Sequence, residues 1–186
     1  PGAFLSFIGS KALDEIVRSD QVDEPDIILE FLHNNVKKAL NQKESNNKDG
    51  MDVSMCAYKE TRDGKIKLLF SGAKLPLYYY SKSEDELNYV KGSRKTIGGF
   101  HYDEFDFEDH ELILEKGDIL YLSTDGYIDQ YSKMHKRFGR QRFQNMIKEI
   151  VSYPIKKQKE IMEEIFKKFL ADESQRDDVT VLIVQL

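Results

Sequence analysis

The chain of 186 residues has one cysteine, four prolines and no tryptophan. Cys56 alone cannot build a disulfide framework, and its place between Met55 and Ala57 reads as a buried, inert thiol. That usage fits a reducing compartment, so a cytoplasmic location is the expectation. No apolar run approaches the ~20 residues of a membrane span, and no direct membrane insertion is expected. Basic residues are outnumbered, 28 Lys and Arg against 33 Asp and Glu. The net charge of −5 argues against a nucleic-acid partner, because phosphate affinity is mainly a matter of Lys and Arg. There is no glycine-rich phosphate loop and no Ser/His/Asp arrangement arguable from spacing. His33, His101, His110 and His135 lack metal-ligand spacing, and His33 reads as a helix-surface residue. An initiator Met is missing as well. Pro1-Gly2-Ala3-Phe4 runs straight into an apolar helical pattern, as a piece of a longer protein would.

What is present is a change of period along the chain. Ala3, Phe4, Phe7, Ile8, Leu13, Ile16 and Val17 recur at near-helical spacing. A second helix is expected from Pro25, with Ile27, Ile28, Phe31, Leu32, Val36, Ala39 and Leu40 as its core face. Residues 41–49 are polar and without period, hence a loop. Strands are predicted over Val53–Tyr58 and Lys65–Phe70, joined by a hairpin turn at Asp63-Gly64. Leu75–Tyr80 continues as a short strand, and Glu84–Gly99 reads as a charged connection. His101–Phe107 and Glu111–Leu114 are further strand candidates, followed by a strong one over Ile119–Ser123. Two helices (Arg140–Val151, then one through Ile161–Leu170) precede a last strand, Val179–Val184. Helix pair, run of strands, helix pair, strand: this order indicates an α+β fold with helices packed on antiparallel sheet. One domain over residues 1–186 is the expectation.

Two acidic punctuation marks carry the chemistry. Ser123-Thr124-Asp125-Gly126 ends one strong strand, and Arg176-Asp177-Asp178 precedes another. If those strands are antiparallel neighbours, the carboxylates emerge at one end of a sheet. Mg²⁺ and Mn²⁺ take oxygen donors and retain several waters, so one or two carboxylates per ion suffice. The plain alternative is an ordinary turn and a solvated strand cap, and Asp-Gly recurs at Asp49, Asp63 and Asp125. The acidic run Asp103, Glu104, Asp106, Glu108 and Asp109 reads as a solvated edge strand. Lys133, Lys136, Arg137 and Arg140 form a basic patch, either a solvated loop or a rim that attracts phosphate.

The ordered set is more specific than any one dipeptide. Residues 117–130 (GDILYLSTDGYIDQ), then Arg137-Phe138-Gly139, then Gln175-Arg176-Asp177-Asp178-Val179-Thr180 resemble the stage II sporulation protein E family. That family is a bacterial branch of the metal-dependent, protein phosphatase 2C-like serine/threonine phosphatases. Residues 1–9, Asp49-Gly50-Met51-Asp52 and Ser71–Leu77 agree with it, so the likeness covers essentially the whole chain. The resemblance implies two stacked antiparallel β-sheets flanked by helix pairs, a four-layer sandwich. It implies a binuclear Mn²⁺ or Mg²⁺ centre whose activated water attacks phosphoserine or phosphothreonine without a covalent intermediate. Carried over by motif, Asp125 and Asp177 are the metal ligands and catalytic residues. Asp129 could help hold an additional ion, and Gly126 and Asp178 support the ligands from behind.

The resemblance fails at the start. The family's Gly-His-Gly turn, with an Asp three residues ahead that bridges the two metals, would lie just before Pro1, as would the strands completing the sheets. The chain thus reads as the C-terminal portion of a longer protein with an upstream sensor domain. Alone it is expected to bind metal poorly, to be nearly inactive, and to pair with another copy through exposed sheet edges. The implied substrate is a phosphorylated regulatory protein of the anti-sigma factor antagonist class. A non-catalytic interaction or oligomerisation module of the same fold is the competing reading. A parallel-sheet phosphohydrolase is disfavoured by the hairpin and by the lack of βαβ alternation.

Overall fold

The computed structural model describes residues 2–19, 22–99 and 106–186. In chain order it contains α1 (Gly2–Ser19), α2 (Pro25–Ala39), β1 (Gly50–Met51), β2 (Val53–Glu60), β3 (Ile66–Ala73), β4 (Leu77–Ser81) and β5 (Glu86–Val90). Then come β6 (Ile97–Gly98), β7 (His110–Leu114), β8 (Ile119–Ser123), α3 (Gly126–Asp129), α4 (Arg140–Ile150), α5 (Ile155–Leu170) and β9 (Val181–Gln185). This is an α+β fold whose strands form sheets ordered β1-β6, β2-β3-β7 and β5-β4-β8-β9. The chain divides into two compact units: one holds α1, α2, β1–β3, β6 and β7, the other the four-stranded sheet with α3–α5.

In the first unit β2 and β3 are antiparallel from Val53↔Ala73 to Glu60↔Ile66, and β3 pairs antiparallel with β7. The hairpin turns at Gly64, whose φ of 78° is the left-handed region that Asp-Gly supplies. Helix α1 buries Leu5, Gly9, Ala12 and Ile16, a narrower stripe than hydrophobicity alone suggests. Gly9 and Ala12 are small enough for close approach: a Cβ on Gly9 would stand 3.0 Å from the Met51 side chain. Phe4 and Phe7, members of the same apolar repeat, are about two-thirds exposed at 61% and 67%. On α2 the buried face is Ile28, Leu29, Leu32, His33 and Val36, with Ile27 and Phe31 turned outward. His33 therefore corrects the surface reading. Its Nδ1 accepts the Gly98 N–H at 3.0 Å, and burial followed by the charge of Lys95 holds its pKa below the usual value.

The connection between β4 and β7 differs from its sequence reading. It contains β5 and β6, because Leu87 and Tyr89 pack on the core of the second unit and Ile97 on that of the first. The strand expected over His101–Phe107 lies mostly outside the described residues, and Asp106 and Phe107 are irregular. Asp103 and Glu104 are likewise outside them. Asp109 is no edge-strand charge; its Oδ1 accepts the Asp26 N–H at 2.9 Å, at the start of α2.

The second unit is built on aromatic packing. Tyr127 sits among Phe138, Phe143 and Phe166 at centroid distances of 5.0, 5.4 and 4.8 Å. Each such buried ring contributes about 1.5–3 kcal/mol by leaving water. Tyr127 and Tyr121 also satisfy their hydroxyls, on the Met162 carbonyl and the Gln158 Oε1, both at 2.7 Å. This core fixes the helices α4 and α5 over the sheet that carries the acids.

Candidate metal centre

Strands β8 and β9 are antiparallel from Ile119↔Gln185 to Ser123↔Val181. The end of β8 therefore lies beside the start of β9, and the two acidic marks meet at one sheet end. Side-chain and backbone bonds continue the pairing beyond the strands. The Thr124 N–H donates to the Thr180 carbonyl at 3.0 Å, and the Thr180 N–H donates to Thr124 Oγ1 at 3.0 Å. Gly126 then packs against the backbone of Asp178, where a Cβ would come within 2.3 Å of the carbonyl oxygen. Only glycine tolerates that approach. The Thr-Asp-Gly order has a physical reason: Thr bonds across, Asp stands at the break, and Gly admits the facing chain.

Asp125 begins α3 with a helical backbone (φ −73°, ψ −20°) and its side chain makes no capping bond. Asp125, Asp177 and Asp178 are all exposed. Asp177 Oδ1 accepts the Asp178 N–H at 2.7 Å, and the Gln175 side chain donates to the Asp177 carbonyl at 2.8 Å. These local bonds shape the turn around an exposed Asp177. Asp129 is paired with Arg137. Both partners are about half exposed, and such a pair is worth ~0–1 kcal/mol, little enough for a cation to compete.

The donor set suits a hard cation in kind: carboxylate oxygens, exposed, at a single sheet end. No group of three His, Cys, Asp or Glu able to hold a metal ion occurs among the described residues. Mg²⁺ and Mn²⁺ accept one or two carboxylates alongside water, which is the number that Asp125 and Asp177 would supply.

Other motif residues have structural work. Asp118 is 2% exposed, with Oδ1 accepting the Lys82 N–H at 2.8 Å and Oδ2 the Glu115 N–H at 2.9 Å. In the first unit a Cβ on Gly72 or Gly92 would meet the Leu75 carbonyl at 2.2 or 2.4 Å, so the Ser-Gly step closes a tight backbone crossing. Within the basic patch, Arg140 lies over the Tyr89 ring at 4.9 Å and Lys133 stands 3.7 Å from Asp172. His110 stacks on Phe70, His135 occupies a left-handed turn position, and His101 is outside the described residues. Cys56 is half-buried rather than fully buried as expected, and desolvation still pushes its thiol up to about 12.

The sequence profile of the stage II sporulation protein E family matches residues 1–186. The chain belongs to this family. Among solved structures it is similar to the SiaA-PP2C domain of Pseudomonas aeruginosa, at 27% identity and a TM-score of 0.85, covering 100% of this chain and 70% of that one. It is also similar to the PP2C phosphatase domain of SpoIIE from Bacillus subtilis with a fragment of its regulatory domain. That match has 20% identity and a TM-score of 0.64, and spans 98% of this chain and 50% of the other. A manganese-presoaked phosphatase domain of the same Bacillus protein matches at 19% identity and a TM-score of 0.52, covering 96% and 73%. No curated protein sequence matches the chain. The fold is thus that of the PP2C-like phosphatase domains, of the SpoIIE type.

Proposed function

We propose that the chain is the phosphatase domain of a bacterial signalling protein. It hydrolyses phosphoserine or phosphothreonine on a small regulatory protein of the anti-sigma factor antagonist class, with Mn²⁺ or Mg²⁺ as cofactor. Residues 1–186 act together as one phosphatase-like domain under the control of a sensor domain. The observation behind this reading is the contact of Gly126 on the Asp178 carbonyl, which draws Asp125 and the Asp177-Asp178 pair to one end of β8 and β9 in a member of this family.

Asp125 and Asp177 would hold the ion. When bound, a divalent cation supplies Lewis-acid polarisation of the phosphoryl group and activation of water. The chain's own residues set the geometry. The Asp178 N–H fixes the Asp177 carboxylate, Gly126 keeps the two turns in contact, and Asp129, now paired with Arg137, would be an auxiliary ligand. Arg137 would offer a cation to the substrate phosphate. The second reading, a non-catalytic module that pairs with another copy, draws on β2 and β9, each with one side unpaired among the described strands.

The test is hydrolysis of a phosphoserine protein by the full-length protein with Mn²⁺, with and without EDTA. Release of phosphate that EDTA abolishes is the expected result. Activity indifferent to EDTA sinks the mechanism, and no hydrolysis even with Mn²⁺ favours the module.

A further inference from the structure

The segment that carries Asp177 has no regular structure. Residues 171–178 are exposed throughout, between the end of α5 and the start of β9. Its far end is pinned, since Asp178 packs on Gly126 and its carbonyl accepts Thr124 Oγ1 at 3.4 Å. Its near end meets a single buried amide. Gln130, only 1% exposed, is the residue after α3. Its Nε2 donates to the Tyr131 carbonyl at 2.9 Å and to the Ser174 carbonyl at 3.3 Å, while its Oε1 accepts the Arg176 N–H at 3.1 Å. The Arg176 guanidinium then lies 4.4 Å over the Tyr131 ring. Asp177 falls between the two pins, and both pins belong to the stretch that begins at Thr124 and includes Asp125.

A buried amide is a costly way to fill space. Desolvating it is unfavourable unless every polar atom is bonded, and an apolar side chain of equal volume would pack without that cost. Gln130 meets the condition by spending both ends of its amide, and two of its three bonds go to the Asp177 segment. We infer that Gln130 is a positioning residue. It fixes the backbone on the near side of Asp177, and so sets that carboxylate relative to Asp125. Supporting groups of this kind typically change metal affinity by about 10–100-fold when removed. The inference rests on the metal-site reading above, and its test separates the two.

The experiment compares the full-length protein with Gln130→Met, which keeps the length and removes the bonds, and Gln130→Glu, which keeps the acceptor for Arg176. Two quantities are read: amide hydrogen exchange in metal-free protein, and Mn²⁺ affinity by calorimetry. In Gln130→Met the Arg176 amide is expected to exchange at least ~10 times faster while β8 amides keep their protection, and Mn²⁺ affinity to fall by about tenfold. Gln130→Glu should retain part of both. If Gln130→Met does not fold, Gln130→Glu and Gln130→Asn, one methylene shorter, carry the comparison. Unchanged exchange at Arg176, or faster exchange with wild-type Mn²⁺ affinity, overturns the positioning role. If the wild type takes up no Mn²⁺, it is the metal-site reading that fails, and the exchange data alone decide whether Gln130 holds the segment.

Discussion

The two ends of β8 each carry an aspartate, and the two are treated in opposite ways. Asp118, just before the strand, is buried with both oxygens accepting backbone N–H groups from Lys82 and Glu115. It cross-links the turn after β4 to the turn that enters β8, and the chain end joins them through the Leu186 N–H on the Asp118 carbonyl at 3.0 Å. Asp125, two residues past the strand, is exposed, as are Asp177 and Asp178 at the same sheet end. There the backbone donors are engaged across the strands, Thr124 with Thr180 and Thr180 with Thr124. Residue type therefore does not separate a structural acid from a candidate ligand. Burial does: Asp118 is closed off from water, whereas Asp125 and Asp177 face it.

Substitutions at the two ends should accordingly split cleanly. Asp125→Asn or Asp177→Asn is expected to lower kcat/KM for a phosphoserine protein on the order of 10³-fold, since a weakened cation site forfeits several kcal/mol of charge stabilisation. Their melting temperatures should stay near wild type, because surface changes are usually within ~0.5 kcal/mol. Asp118→Ala should do the reverse. It strands two N–H groups in the interior and is expected to cost about 3 kcal/mol in denaturant unfolding. A large stability loss at Asp125, or none at Asp118, would break the contrast.

Gly126 sharpens the same contrast one step down in magnitude. A methyl group there points at the Asp178 carbonyl from 2.3 Å, so Gly126→Ala must push the two turns apart. Overpacking of this kind costs about 2 kcal/mol. Unlike Asp118→Ala, it should also weaken Mn²⁺ binding, because the displaced chain carries Asp177. Parallel unfolding and calorimetric titrations of the two variants would separate a loss of fold from a loss of site.

Much of this was legible because its causes are local. The Asp63-Gly64 hairpin, β8 and β9 announce themselves by turn chemistry and apolar runs, and the ordered motifs from Gly117 to Thr180 carried the family. What stayed hidden depends on partners far away in sequence. Gln130 bonds to residues 44 and 46 positions on, which no spacing pattern reveals. His33 looks like a surface residue until Gly98, 65 residues later, comes to its ring. On α1 the sequence offers too many apolar residues for one face, and the choice falls on the stripe of Gly9 and Ala12, where Met51 can approach. Short strands such as β6 have no periodicity to read at all.

Asp109 lies between the two extremes of β8 and gives the smallest effect. It holds one N–H, that of Asp26 at the start of α2, where a helix end favours negative charge. Yet burial, followed by the charge of Asp26 beside it, pushes its pKa up from 3.8 to about 6. A raised carboxyl pKa means that the folded chain holds this proton more tightly than the unfolded one. The contribution is fully present below about pH 4 and is lost as the pH rises through about 6. His33, in the same unit, runs the other way: with its pKa lowered, its contribution is full above about 6.5 and is lost as the pH falls. Asp109→Asn keeps an oxygen for the Asp26 N–H and removes the charge. Discounted for the solvent that reaches this group, the gain at pH 7 should be about 1 kcal/mol, with none at pH 4. Unfolding measured at both pH values decides it. An equal gain at both would mean that packing, not charge, limits this acid. A loss at pH 7 would put Asp109 with Asp118, as an acid whose ionised form the fold requires.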